Sequence, residues 1–218
     1  IVESAVSDGE RIYFNEEGSR GIFRWNGRGL SRLPVEISGP GNNMVLAGAD
    51  LFVIELRSLF DPGDESLVRI DTNNGNAERL IWGEQLFGLR NITLVDDLIF
   101  GTETYSNEAI VIDPYGDELK GRVALKDGAY GIAAFHKCAV AVMDDKKSLA
   151  FIKATTDGVT VVGGWDLNPA GDRLKQPRTL AVNEADNLIF VRSNYICPSC
   201  TVTQSSVFAF SGPWSGVE

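Results

Sequence analysis

The chain has 218 residues and a mass of 23.7 kDa, which is enough for one domain with a sizeable hydrophobic core. It carries 30 Asp and Glu residues against 20 Lys and Arg residues, a formal net charge of -10 at pH 7. An acidic surface repels nucleic-acid phosphates and anionic lipid headgroups, so we expect no nucleic-acid partner. No apolar run in the sequence approaches the roughly 20 residues of a membrane helix, so we expect no membrane insertion.

Internal repetition is the main structural signal. Five units recur, each with a polar turn, a β-rich run, a variable connection and a second β-rich run. Their equivalent positions are separated by about 40 to 50 residues, the spacing of propeller blades; these are Arg11, Leu51, Leu98, Cys138 and Leu188. A short apolar run precedes each unit and a weaker one follows four of them, which predicts four strands per unit.

In chain order, the units are predicted as blades over approximately residues 1–33, 43–81, 91–125, 130–164 and 178–218, all within one domain spanning 1–218. The runs that precede the units are predicted to be the innermost strands: IVESAVS, NMVLA, NITLV, GIAAF and TLAVN. Four dipeptides indicate hairpin turns, because glycine accepts positive φ: Asp8-Gly9, Asn26-Gly27, Asn74-Gly75 and Asp157-Gly158. The sequence therefore predicts an all-β protein, a β-propeller of five four-stranded antiparallel blades.

The first unit, DGERIYFNEEGSRGIFRWNGRGLSRLP, resembles the repeats of TolB-like and YWTD-like propellers. It has the Ile-Tyr-aromatic strand, a second strand that ends near Asn-Gly, and the closing Leu-x-x-Leu of those families. The later units resemble them more loosely, and blade 4 departs most. The resemblance implies a fold and no particular activity.

The interior of the ring has its own sequence signals. Innermost strands that crowd around an axis need small residues, and Ala5, Ala47, Ala133 and Ala181 fit that requirement. The second strands carry Phe14, Phe52, Phe100 and Phe190, which we expect to fill the layers between blades. Only WSGVE at 214–218 is left as a fourth strand for the last blade. We expect this segment to close a five-bladed ring, and the alternative is that the chain is part of a larger propeller. The start at Ile1 without a visible signal peptide leaves a processed protein or a larger parent chain open.

Long irregular segments are predicted to gather on one face, over residues 58–65, 82–90, 165–177 and 194–204. Long loops on a rigid scaffold usually carry the binding site. Aromatic rings beside charged groups suit protein or glycan recognition. The candidate ligand-binding residues are Trp82, Trp165, Tyr105, Tyr195, Arg57, Glu103 and Arg192. The alternative is that Trp82 and Trp165 wedge between blades.

Catalytic residue types are scarce. The one histidine, His136, is predicted in a turn on the short-loop face, so no nucleophile with a histidine base is assigned. An alternative function is a hydrolase or lyase with carboxylate or metal chemistry at the central channel, to which Glu103 and Asn194 would contribute. No metal site or cofactor is assigned, although TNNGN (72–76) and DPGDE (61–65) leave calcium open.

Two of the three cysteines lie in CPSC, at Cys197 and Cys200. Free thiols, a metal site and a redox dithiol are alternatives, but a zinc site would need two further ligands, and no helix follows to lower a thiol pKa. We expect a disulfide within the longest loop, with Cys138 a buried thiol outside the bridge. A disulfide favours an oxidising compartment, so the expected location is extracellular or periplasmic.

The leading functional hypothesis is a non-enzymatic module that binds a protein or glycan ligand through its long-loop face. An enzyme with chemistry in the central channel is the alternative. A third reading is an interaction domain of a larger chain, or a subunit of an oligomer.

Overall fold

The computed structural model describes residues 2–16, 19–37, 41–56, 64–82, 85–144, 147–167, 177–195, 204–212 and 214. These residues form five antiparallel sheets arranged as a five-bladed β-propeller, as the repeat predicts. There is no α-helix in the described ranges, and hence none there that is long and apolar enough to cross a membrane.

Each blade is an up-and-down meander of consecutive strands. Blade 1 contains β1 (Val2–Ser7), β2 (Ile12–Glu16), β3 (Gly21–Trp25) and β4 (Leu30–Glu36). Blade 2 contains β5 (Gly41–Ala47), β6 (Asp50–Leu56), β7 (Glu65–Asp71) and β8 (Ala77–Trp82). Blade 3 contains β9 (Leu89–Val95), β10 (Leu98–Glu103), β11 (Glu108–Asp113) and β12 (Glu118–Ala124). Blade 4 contains β13 (Ala129–Phe135), β14 (Cys138–Met143), β15 (Ser148–Thr155) and β16 (Gly158–Asp166). Blade 5 contains β17 (Pro177–Asn183), β18 (Leu188–Tyr195) and β19 (Gln204–Ser211).

The innermost strands are β1, β5, β9, β13 and β17, the five predicted from the sequence. Each of the first four innermost strands contacts the innermost strand of the following blade. The strands β13 and β17 approach closely, because a Cβ on Gly131 would lie 2.9 Å from the carbonyl oxygen of Arg178. A larger residue at this position would therefore push two backbones apart.

Glycine conformation confirms the four predicted hairpin turns. Gly9, Gly27, Gly75 and Gly158 have φ values of 93°, 81°, 78° and 126°, where a side chain would be strained. His136 occupies the turn between β13 and β14 with φ 52° and is exposed, on the short-turn face as expected.

The core consists of four hydrophobic clusters, one in each layer between consecutive blades from blade 1 to blade 5. Phe52 and Phe100 are buried in these layers, at 0% and 2% exposure, as expected. Phe14 and Phe190 are only half-buried, because their side chains point away from blade 2 and blade 4 respectively.

The four alanines predicted near the axis also differ between the middle blades and the end blades. Ala47 and Ala133 pack against the clusters, whereas Ala5 and Ala181 are exposed on the two end blades. The expectation of axial crowding is thus met in the middle blades and is wrong for the end blades, where no sheet of the described residues covers the face.

Blades 1 to 4 have four strands, and three strands of blade 5 lie among the described residues. Trp214 packs into the layer between blades 4 and 5, and its indole N–H donates to the carbonyl oxygen of Asn187 at 3.1 Å. Residues 215–218, the rest of the predicted closing strand, lie outside the described residues.

Candidate functional site

The meander places two kinds of connection on one side of the five blades, here called the upper face. They are the loops between the second and third strands of each blade and the linkers between blades. The lower face has the tight turns. Of the predicted long segments, 82–90 on blade 3 is described over most of its length, whereas most of 58–65, 165–177 and 194–204 lies outside the described residues.

At the upper end of blade 3, Glu103 is fully buried at the end of β10. One carboxylate oxygen accepts the backbone N–H of Phe87 at 2.7 Å. The other accepts the Ser106 hydroxyl at 3.1 Å and forms an ion pair with the guanidinium of Arg122. Arg122 also reaches Glu108 at 3.2 Å. The Glu103 carboxylate is therefore occupied by groups of its own blade, including the linker that carries Phe87.

Blade 2 has a related arrangement at the end of its second strand. Glu55, exposed by 1%, accepts the Ser66 hydroxyl at 2.8 Å and pairs with Arg79 of the outer strand at 2.9 Å. A buried glutamate of the second strand thus joins an arginine of the fourth strand in both blades. This recurrence indicates that Glu103 is part of the scaffold and positions its surroundings.

Glu103 lies beneath a small surface that we call the blade 3 rim, which consists of Phe87, Gly88, Arg90 and Tyr105. Phe87 and Tyr105 are exposed by 45% and 49%. The Arg90 guanidinium lies 5.5 Å from the centre of the Tyr105 ring and donates to its hydroxyl at 3.2 Å. Gly88 has φ 81°, and a Cβ there would run into the Tyr105 ring. The rim is accordingly ordered by contacts on both sides of the tyrosine.

The other predicted ligand residues lie elsewhere. Trp165 is half-buried between blades 4 and 5, with its ring centre 5.1 Å from that of Trp214, which agrees with the alternative that it wedges between blades. Arg192 is exposed on blade 5 and donates to the Ser205 hydroxyl at 3.3 Å. The structure does not bring these two residues to the blade 3 rim.

Several predictions fall on side chains outside the described part of the chain. They are those of Arg57, Trp82, Tyr195, Asn194, Cys197 and Cys200. The disulfide therefore stays a prediction. Cys138 is buried in β14, and burial raises the pKa of its thiol because the thiolate loses solvation.

A chain of polar contacts links the starts of the inner strands from blade 2 to blade 5. The amide of Asn43 donates to the side-chain oxygen of Asn91 at 3.0 Å, and Asn91 donates to the carbonyl oxygen of Tyr130. The Tyr130 ring lies 3.7 Å from the guanidinium of Arg178, which pairs with Asp144 at 3.3 Å. In the described ranges no three His, Cys, Asp or Glu side chains group as they would around a metal ion.

Sequence reasoning missed Phe87, Arg90 and Arg122. Phe87 and Arg90 lie in the segment WGEQLFGLR, whose length was the available signal. Arg122 lies in a strand that reads as an ordinary polar edge, and only its pairing with Glu103 connects it to the site.

No protein-family model matches the sequence, and no curated protein matches it significantly. Solved structures do resemble its fold. Hydrazine synthase from Kuenenia stuttgartiensis is 16% identical with a TM-score of 0.73, over 96% of this chain and 62% of that one. The Pan2 WD40 domain of Neurospora crassa is 13% identical with a TM-score of 0.68, over 95% and 62%. BamB from Moraxella catarrhalis is 11% identical with a TM-score of 0.57, over 87% and 54%.

These identities are low, so the likeness establishes a propeller fold and no shared activity. The chain spans between about half and two thirds of the length of the structures it matches.

Proposed function

We propose that this propeller is a non-enzymatic binding module and that the blade 3 rim contacts a protein ligand. The observation that carries the proposal is that the rings of Phe87 and Tyr105 are both exposed, while Arg90 contacts the Tyr105 ring and the backbone N–H of Phe87 donates to Glu103. Aromatic residues and arginine are the types enriched at the energetic centres of protein interfaces. Their order limits the entropy lost on binding.

A protein ligand is favoured over a glycan by the state of the nearby carboxylates. Sugar recognition combines ring stacking with hydrogen bonds to hydroxyl groups, for which carboxylates are the usual acceptors. Here Glu103 is buried, and Glu108 pairs with Arg122. Among the described residues of the rim, the side chains exposed by nearly half are the rings of Phe87 and Tyr105, which suit apolar side chains of a protein.

Site-specific photocrosslinking tests the proposal. A photoreactive phenylalanine analogue replaces Phe87 in the protein produced in its native cells, and the crosslinked species is identified by mass spectrometry. The matched control places the same analogue at Tyr115, an aromatic residue of the lower face that is 52% exposed. We expect a defined protein crosslinked from position 87 and absent from position 115.

The crosslinking pattern and a glycan array together distinguish the alternatives. Crosslinks to the same proteins from both positions would mean nonspecific contact. A glycan array probed with the wild-type protein covers the carbohydrate alternative, and binding that persists in the double variant Phe87→Ala/Tyr105→Ala would place any sugar site away from the rim.

A further inference from the structure

Within the described residues, blades 1 and 5 each have one sheet face that no other blade covers. In an antiparallel sheet directly paired residues share a face, so the register assigns every side chain. On blade 1, Tyr13 and Ile22 face blade 2 and are buried. The opposite face, here called the blade 1 end face, carries Ala5, Ile12, Phe14, Phe23, Trp25 and Leu30.

The blade 1 end face is mostly apolar and is open, and its polar members include Ser7 and Arg32. Trp25 and Leu30 are exposed by 44% and 61%, and Ile12 by 36%. Phe14 and Phe23 stack on each other, with ring centres 5.7 Å apart and an interplanar angle of 22°. Exposing this many large apolar side chains on one sheet face is unfavourable in water and marks a surface that binds another.

Blade 5, at the opposite end of the row of blades, also has one open sheet face. Leu180 and Val191 face blade 4 and are buried. The opposite face, the blade 5 end face, carries the apolar residues Ala181, Leu188, Phe190, Val207 and Ala209 together with the polar residues Thr179, Asn183, Arg192 and Ser211. Val207 is exposed by 67%. The described residues form four inter-blade clusters, and none of them joins blade 5 to blade 1.

We propose that further propeller blades of the same polypeptide cover both end faces, so that residues 1–218 form an arc of a larger ring. The inter-blade layer already occurs four times in this chain, and each end face offers one half of such a layer. Another blade supplies the missing half, with the apolar alternation that a sheet-on-sheet contact needs. This inference is independent of the proposed function.

The superposition on a longer propeller indicates how many further blades the proposal requires. The chain superposes over 95% of its length on the Pan2 WD40 domain and covers 62% of it. Five blades over that share leave room for roughly three more of the usual 40 to 50 residues. A second copy would bring five blades, too many for the gap, so continuation of the polypeptide is favoured over a dimer.

Hydroxyl-radical footprinting with mass spectrometry tests the proposal, because side-chain oxidation reports solvent access. Two proteins are compared: residues 1–218, and the polypeptide extended at both ends by its natural flanking sequence. The probes are Phe14, Phe190 and Trp25, and the matched buried controls are Phe52, Phe100 and Trp214. Light scattering gives the oligomeric state of each protein.

In residues 1–218 we expect a monomer in which Phe14, Phe190 and Trp25 oxidise several-fold faster than the controls of the same residue type. In the extended polypeptide these three rates should fall to those of the controls. Protection in the monomer would mean that blade 5 closes onto blade 1, and protection in a dimer would mean that a second copy is the occupant. Protection of either kind in residues 1–218 would overturn the proposal. So would continued exposure of the three probes in the extended polypeptide, or flanking sequence too short for two blades.

Discussion

At the scale of single residues, Glu103 shows how a charged loop residue can be misread. The sequence places it among aromatics at the end of a strand, which suggests a ligand contact. In the fold its carboxylate is fully buried and bonded to Arg122, Ser106 and the backbone of Phe87. Its role in binding would therefore be indirect, through the position of Phe87.

Glu103→Gln tests this scaffold role. The variant keeps the shape but loses the charge that Arg122 and the Phe87 N–H require, so we expect the free energy of unfolding to fall by about 1 to 3 kcal/mol. Chemical denaturation measures it. The control is Glu78→Gln, which removes an exposed pair with Arg69 and should cost less than about 1 kcal/mol. Equal losses in the two variants would contradict the buried role of Glu103.

Cys138 provides a prediction on pH. Its thiol pKa lies above the ordinary 9.0 because burial disfavours the thiolate, so the unfolded chain loses this proton at a lower pH than the folded chain does. Cys138 therefore contributes stability below the unfolded pKa, and the contribution is lost as pH rises through the window between the unfolded and folded values. Stability measured from pH 7 to pH 10 should fall more steeply in the wild type than in Cys138→Ala. Parallel curves would show that the thiol is not desolvated.

At the scale of elements, the sequence carried most of the fold. The repeat, the turn glycines and the apolar runs each report a local property, namely strand alternation or backbone conformation, and all five innermost strands followed from them. The sequence pattern does not show which face of each sheet a neighbouring blade covers. Phe14 and Phe100 are the same residue type on equivalent second strands, yet Phe100 is buried between blades and Phe14 is half exposed. Such a difference depends on the neighbouring sheet, which a local pattern does not contain.

The blade 3 rim was predicted only in part, through Tyr105. Its partners Arg90 and Gly88 lie 15 and 17 positions earlier in the sequence and contact Tyr105 only in the folded blade.

The two phenylalanines make this difference measurable. Phe100→Ala leaves a cavity between blades 3 and 4 and should cost about 3 to 5 kcal/mol of unfolding free energy. Phe14→Ala removes mainly the stacking on Phe23 and should cost about 1 to 2 kcal/mol. Denaturant titration of both variants of residues 1–218 checks the register. A loss for Phe100→Ala below about 1 kcal/mol would mean that its side chain faces solvent.

At the scale of the whole molecule, the layers that stabilise the propeller are separate from the rim that we propose as the binding site. Apolar layers between the blades hold the scaffold, and buried glutamate–arginine pairs fix the upper ends of blades 2 and 3. The exposed aromatics of the blade 3 rim contribute little to those layers. Substituting them should thus change binding and leave folding intact, which is the pattern expected of a site carried by a rigid fold.

The affinity of the protein crosslinked from position 87, measured by calorimetry for three purified forms, tests the binding role of the rim most directly. We predict that Phe87→Ala/Tyr105→Ala weakens binding at least about tenfold, the effect of losing 1.4 kcal/mol, with an unchanged melting temperature. Tyr115→Ala on the lower face should bind like the wild type. Unchanged affinity in the double variant, or a loss in Tyr115→Ala instead, would contradict a binding site on the blade 3 rim.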